Sequence, residues 1–286
     1  ENGGVTNEGD SISFTITVNP SAQTDQISNQ VVCNGDTTNT ILFTTQNTGG
    51  VTSYNWTNNT PSIGLSSSGD GDISSFTATN TTNIPVTATI TVTPVFENGS
   101  IVCDGEAKTF TITVNPTAQV NQPSDQVVCN GEDVSVLFST QNTLGSTSYS
   151  WTSDIEIGAG LSGTDNMNFT ATNLLTEPVV ATIVVTPAFE FDGIVCDGEA
   201  KTFTITVNPN AEMDIVTDQV VCHGESTESI IFSTNNLNGI MSYTWTNNTP
   251  SIGLSSNGSG DIFAFTATNS TSTPVTATIT VTPEFE

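Results

Sequence analysis

The chain has 286 residues, with 29 acidic side chains against two basic ones, Lys108 and Lys201, and a formal net charge of -27. That balance repels phosphate backbones and anionic bilayers, which excludes nucleic acid as a partner, and it reads as a self-repelling, aggregation-resistant surface. Hydrophobic residues make up 35% and charged residues 11%, so small cores can form and charge-driven disorder is not expected. No apolar run reaches the roughly 18 residues of a spanning helix, and no signal peptide opens the chain.

The first predicted element is "SFTITV", closed by Asn19 and Pro20. It recurs as "TFTITVNP" ending at Pro116 and at Pro209. In the copy at 108–114, Phe110, Ile112 and Val114 share one face and Thr109, Thr111 and Thr113 the other, the period of a strand. Proline ends each copy because it has no N–H to donate. "QVVCNG" follows at Gln30 to Gly35, returns at Gln126 to Gly131, and becomes "QVVCHG" at Gln219 to Gly224. Further strands are expected at "SVLFST", with Val136 and Phe138 on one face, and at "SYNWT", "SYSWT" and "SYTWT". These last place Trp56, Trp151 and Trp245 in register, each expected in a core on a central strand, with Tyr54, Tyr149 and Tyr243 on the same side. "VTATITV" then puts Val86, Ala88, Ile90 and Val92 inward.

The period is about 95 residues, the size of one immunoglobulin-like sandwich and too long for a solenoid repeat. The expected class is all-β: tandem immunoglobulin-like antiparallel β-sandwiches arranged end to end. Residues 1–20 read as the last strand region of a preceding repeat. Repeat 1 is 21–116, repeat 2 is 117–209, and repeat 3 is 210–286, lacking its last strand. The pattern reads as a window in a longer array.

Five cysteines mark the repeats. Cys33, Cys129 and Cys222 open them; Cys103 and Cys196 close them. Two pairings are open. Within a repeat, Cys33 would join Cys103 and Cys129 would join Cys196. Across the joint, Cys103 would join Cys129 and Cys196 would join Cys222. The first is favoured because both partners then lie in one domain, closing a loop worth about 4 kcal/mol in the chain-entropy relation. Cys222 is then a half-cystine whose partner lies past Glu286, and Asn7 stands at the closing position of the N-terminal segment. A metal site is disfavoured: no C-x2-C spacing exists, and the single histidine is His223.

The "VCxG" opening, the "Y-x-W" strand, "PVTATITVTP" and the closing "C-x-G-x-x-x-T-F-T-I-T-V-N-P" together resemble the PKD-like repeats of giant Bacteroidota surface adhesins, the gliding-motility type typified by SprB. The "W-x-F-G-D-G" of ordinary PKD domains is absent; Trp56 is followed by "TNNTPSIG". The resemblance implies a β-sandwich, export by type IX secretion, filaments on the cell surface, and no catalytic residues. It also implies that the "D-S/T" pattern of Bacteroidota O-glycosylation is met at Ser11 and Thr37.

No catalytic constellation is found, and one histidine cannot furnish a Ser-His-Asp site in each repeat. Asp70 and Asp72 are candidate Ca²⁺ ligands, as are the joint residues Asp25, Asp125, Asp214 and Asp218. No other cofactor is expected. Lys108 shares parity with Phe110, but Ile12 at the matching position of the N-terminal segment argues against an isopeptide bond. The function expected is a stalk or spacer of an extracellular, surface-attached adhesin. Its partners would be neighbouring repeats, with surface polysaccharide or outer-membrane motility and secretion machinery as further candidates. The alternatives are multivalent glycan- or surface-binding repeats and an accessory module of a secreted hydrolase.

Overall fold

A computed structural model describes residues 3–4 and 6–286. The fold is all-β and of the immunoglobulin-like sandwich class, with strands where period-2 alternation placed them. In repeat 1 the strands are β1 (Gln30–Cys33), β2 (Val51–Asn58), β3 (Ser68–Asp70), β4 (Val86–Asn98), β5 (Ile101–Asp104) and β6 (Lys108–Asn115). They form one sheet in the order β1-β6-β4-β2-β3, with β5 folded back on the far end of β4. A second, thinner layer is held by the antiparallel bridges Thr37 to Thr77 and Ile41 to Ile73. Between the layers lie Ile41, Phe43 and Ile73 from one side and Trp56, Ile90, Phe110 and Ile112 from the other.

Repeat 2 repeats the plan. Its strands are β7 (Gln126–Cys129), β8 (Asp133–Val136), β9 (Ser146–Ser153), β10 (Ser162–Thr164), β11 (Met167–Thr170), β12 (Val179–Phe191), β13 (Ile194–Asp197) and β14 (Lys201–Asn208). The order is β10-β9-β12-β14-β7, with β13 on β12 and the β8–β11 pair as second layer. Its core holds Phe138, Trp151, Ile183, Phe203 and Ile205.

Sequence alone pointed to purely antiparallel sheets; the structure departs from that at one edge. The opening strand runs parallel to the closing strand. Gln30 faces Ile112 and Cys33 faces Asn115; Gln126 faces Ile205 and Cys129 faces Asn208. A parallel neighbour needs a long crossover, and the intervening sandwich supplies it.

Repeat 3 forms β15 (Met241–Asn247), β16 (Asn257–Ser259) and β17 (Ile279–Phe285). Among the described residues, no strand of repeat 3 stands where β6 and β14 stand. Gln219 to Cys222 therefore has no parallel partner and is not a strand. Residues 275–278, whose counterparts Val86 to Thr89 pair with β6, are irregular too. Only Phe232, Trp245 and Ile262 of its core cluster are buried. At the other end, described residues up to Pro20 form no strand, although "SFTITV" matches β6. Of the 1–20 segment, residues 1, 2 and 5 lie outside the described residues.

The chain divides into two compact units that do not follow the sequence period. One gathers Glu1–Thr117 with Thr143–Gly145 and Glu190–Cys196; the other holds Ala118–Asn142, Ser146–Phe189 and Asp197–Glu286. The tip of the β12–β13 hairpin thus belongs with repeat 1.

Candidate functional site

The chemistry of this molecule concentrates where that hairpin tip meets the end of β6. Asn115 closes the strand, is fully buried, and donates from Nδ2 to the carbonyl oxygens of Phe191 (3.0 Å) and Ile194 (3.4 Å). Asp192 and Gly193 make the tight turn with φ of 51° and 75°, the left-handed pair of a two-residue hairpin loop. The turn brings Cys196, on β13, against Cys33, on β1. The two are joined as a disulfide with Cα atoms 5.5 Å apart, across a sequence separation of 163.

This corrects both pairings considered from the sequence. Cys33 does not join Cys103, Cys129 does not join Cys196, and neither joint pairing occurs. Cys103, Cys129 and Cys222 are thiols. The bond unites the opening cysteine of one repeat with the closing cysteine of the next. Sequence reasoning failed because it kept both partners in one domain, and a shared domain does not set the opening and closing strand ends side by side. The parallel edge and the back-folded hairpin separate them: β1 sits at the β6 edge, while β5 projects beyond the sheet toward the preceding repeat's sequence.

A related contact lies near the N-terminal end of the chain, and further contacts join successive repeats through loops. In the first unit, Asn98 at the tip of the β4–β5 hairpin donates to Asn19 Oδ1 at 2.9 Å, and Asn19 is the counterpart of Asn115. Thr143 N donates to Asn83 O at 3.0 Å. In the second unit, Leu237 N donates to Thr176 O at 2.8 Å and Asn238 Nδ2 to Glu177 Oε2 at 2.7 Å.

The asparagine after each opening cysteine proves structural. Asn34 Oδ1 accepts from Asn80 N at 2.7 Å and Asn130 Oδ1 from Asn173 N at 2.8 Å. In repeat 3, His223 Nδ1 takes over that role, accepting from Asn269 N at 3.0 Å. The lone histidine thus serves as a hydrogen-bond acceptor in a loop.

Trp56, Trp151 and Trp245 are buried, each opposite a strand glycine: Gly69, Gly163 and Gly258. A Cβ on any of these glycines would overlap the indole, so the ring lies flat on backbone. These glycines were not singled out from sequence, though "SGD", "SGT" and "NGS" recur in register. Tyr54, Tyr149 and Tyr243 pack on Phe43, Phe138 and Phe232 with ring centroids 5.2 to 5.5 Å apart. Burial raises the pKa of all three phenols. The Asp154 carboxyl is held below its usual range, chiefly because it accepts the Thr182 N–H.

Four of the acidic candidates, Asp25, Asp72, Asp125 and Asp214, hold hydrogen bonds within the sandwiches. Asp72 Oδ1 accepts from Phe43 N at 2.8 Å, and Asp261 does the same for Phe232 N. In repeat 2 the uncharged Asn166 accepts from Phe138 N, so the position calls for an acceptor rather than a charge. Asp70 is exposed on β3. Asp25 and Asp214 accept from Thr44 and Ser233 hydroxyls at 2.6 Å, and Asp125 from Thr204 N. Among the described residues, no three His, Cys, Asp or Glu side chains gather as a metal-holding group. Ser11 and Thr37 are both exposed, Thr37 bridging to Thr77. Lys108 Nζ donates to Thr24 O at 2.6 Å. No helix among the described residues is long and apolar enough to cross a membrane.

No family model matches the chain, and no curated protein matches it. Solved structures similar to it include the three N-terminal domains of the bacteriophage RB49 Highly Immunogenic Outer Capsid protein, at 16% identity and TM-score 0.36, covering 87% of this chain and 86% of that one. Mouse cadherin-23 EC22-24 matches at 12% identity and TM-score 0.36 over 90% and 92%. Murine CEACAM1b matches at 11% and 0.29 over 63% and 98%. Likenesses of this size carry no argument about function, and the immunoglobulin-like class stands on the chain's own strand order and registers.

Proposed function

We propose that this chain is a structural spacer: sandwich repeats in the stalk of an extracellular, surface-attached filamentous adhesin that serves gliding motility or attachment. The observation that carries the reading is the Cys33–Cys196 bond. Disulfides persist in oxidising compartments, which fits a place outside the cell. Tension applied along the chain reaches Cys33, crosses the sulfur–sulfur bond and leaves at Cys196. The residues between them carry no load, so unfolding them cannot lengthen the molecule. A stalk needs that property; a binding module or an accessory domain does not.

The aromatic side chains also favour a spacer over multivalent binding repeats. All three tryptophans face cores. The exposed Phe263 has Ser74 and Asn168 at the equivalent positions of the other repeats, so that strongly exposed aromatic does not recur.

The test is single-molecule extension with handles at the two termini. The oxidised chain is expected to show unfolding steps only from residues outside the bypass, mainly repeat 3. Reductant should add roughly 550 Å of contour length, at about 3.4 Å per residue over the 163-residue separation. An oxidised chain that already releases that length would overturn the reading.

A further inference from the structure

We infer that Asn238 is a self-modifying site: its side-chain amide is lost to attack by the Gly239 backbone nitrogen, and the carboxyl group left behind breaks the contact between residues 237–238 and residues 176–177.

The sequence holds six Asn–Gly steps, and one of them, Asn2–Gly3, includes a residue outside the described ones. The reaction at such a step needs no enzyme. The nitrogen after the asparagine gives its proton to solvent base and attacks Cγ. A C–N bond forms, the Cγ–Nδ2 bond breaks and ammonia leaves, which closes a five-membered succinimide. Water then opens the ring at either carbonyl and yields an aspartyl or an isoaspartyl linkage. Glycine favours the attack because it puts no Cβ beside the nitrogen. A nitrogen already donating to a backbone carbonyl is held back, since that bond must open first.

The fold sorts the other five steps by this criterion. Gly35 N donates to Ala78 O and Gly131 N to Ala171 O, both at 2.8 Å. Gly258 lies in β16 opposite Trp245 of β15. The bonds Asn247 N to Ser256 O and Gly260 N to Tyr243 O on either side make that opposition a hydrogen-bonded pair. Three of the five nitrogens are therefore committed to the backbone. Gly99 and Gly239 are open: among the described residues neither N–H has an acceptor. Asn238 and Gly239 are also exposed.

The place of the amide sets the consequence. Asn238 Nδ2 donates to Glu177 Oε2 at 2.7 Å, next to the Leu237 N to Thr176 O bond of 2.8 Å. A carboxylate only accepts, so conversion replaces a hydrogen bond by two like charges facing each other. An isoaspartyl linkage also adds a methylene to the backbone at a residue with φ of 60°. The equivalent positions in repeats 1 and 2 are Gly49 and Leu144, which have no amide to lose. The change thus belongs to the repeat 3 loop alone, runs one way, and quickens as pH rises. It does not depend on the stalk reading.

The experiment holds the folded 286-residue chain in mildly alkaline buffer and follows it by protease mapping with mass spectrometry, isoaspartate being counted with an isoaspartyl methyltransferase. Asn98 and Asn238 should take up the mass increment of amide-to-acid conversion at least about tenfold faster than Asn34, Asn130 and Asn257, which corresponds to roughly 1.4 kcal/mol of opening cost at the committed glycines. In denaturant the five should convert at similar rates. Hydrogen exchange at the Leu237 N–H should quicken as position 238 converts, and Asn238→Asp should show the fast exchange from the start. Glu177→Gln added to that variant puts a donor opposite the new carboxylate and should restore slow exchange. An Asn238 that keeps its amide as long as Asn34 and Asn130 do overturns the inference, as does conversion that ignores the division between open and committed glycines. A spread of rates in denaturant equal to that in the folded chain, or Leu237 exchange unmoved by Asn238→Asp, overturns it too.

Discussion

At the scale of single residues, the tightest constraint is one that hydropathy does not reveal. Trp56 lies against the backbone of Gly69, its register partner on β3. The indole of Trp56 is buried, and its Nε1 has no hydrogen-bond partner among the described residues, so the ring contributes through packing alone. Gly69→Ala inserts a methyl group into occupied space, and overpacking of this kind costs about 1–3 kcal/mol. The expected result is a lower denaturant midpoint for repeat 1 with tryptophan emission shifted to the red. The same change at Gly71, where no atom lies within 4 Å of an added Cβ, should leave tryptophan emission unmoved. Equal emission shifts in both variants would remove the glycine–indole account.

At the scale of elements, most strands were legible because half-buried strands write their burial as alternation. In β4 the alternation of Val86, Ala88, Ile90 and Val92 gives burial on every second residue. The parallel edge was not legible. "QVVC" is four residues long, half-buried throughout, and its sequence does not state which neighbour it pairs with or in which direction. That single omission misassigned the disulfide, since the pairing depends on which strand end lies beside Cys33. The recurring "VNP" ending reads as a strand stop; at Asn115 its Asn also holds the next hairpin. Asn115→Ala removes two hydrogen bonds, to Phe191 O and Ile194 O, at a net cost of about 1–3 kcal/mol for the pair. With the disulfide reduced, hydrogen exchange at residues 192–196 should then quicken by roughly tenfold per 1.4 kcal/mol lost. Exchange that is unchanged there would show that the hairpin is held by the sulfur bond alone.

At the scale of the whole molecule, composition makes the cysteine pairing readable with one protease. Lys108 and Lys201 are the only basic side chains, so trypsin yields three pieces: residues 1–108, 109–201 and 202–286. A bond inside a repeat, Cys33 to Cys103 or Cys129 to Cys196, would lie within one piece and join nothing. The bond observed, Cys33 to Cys196, joins the first piece to the second. Replacing Cys103, Cys129 and Cys222 by Ser removes every competing thiol while leaving the bonded pair alone. In that variant, non-reducing digestion should give residues 1–108 and 109–201 as one covalent species, and residues 202–286 free. Reductant should separate the first two. The bond also closes a loop long enough to stabilise the jointly folded repeats by about 5 kcal/mol in the chain-entropy relation. Reduction should therefore bring the unfolding transitions of repeats 1 and 2 to lower denaturant and leave that of repeat 3 in place. A shift confined to one repeat would mean that the sulfurs link parts of a single sandwich, and the load-bypass account of a stalk would fail with it.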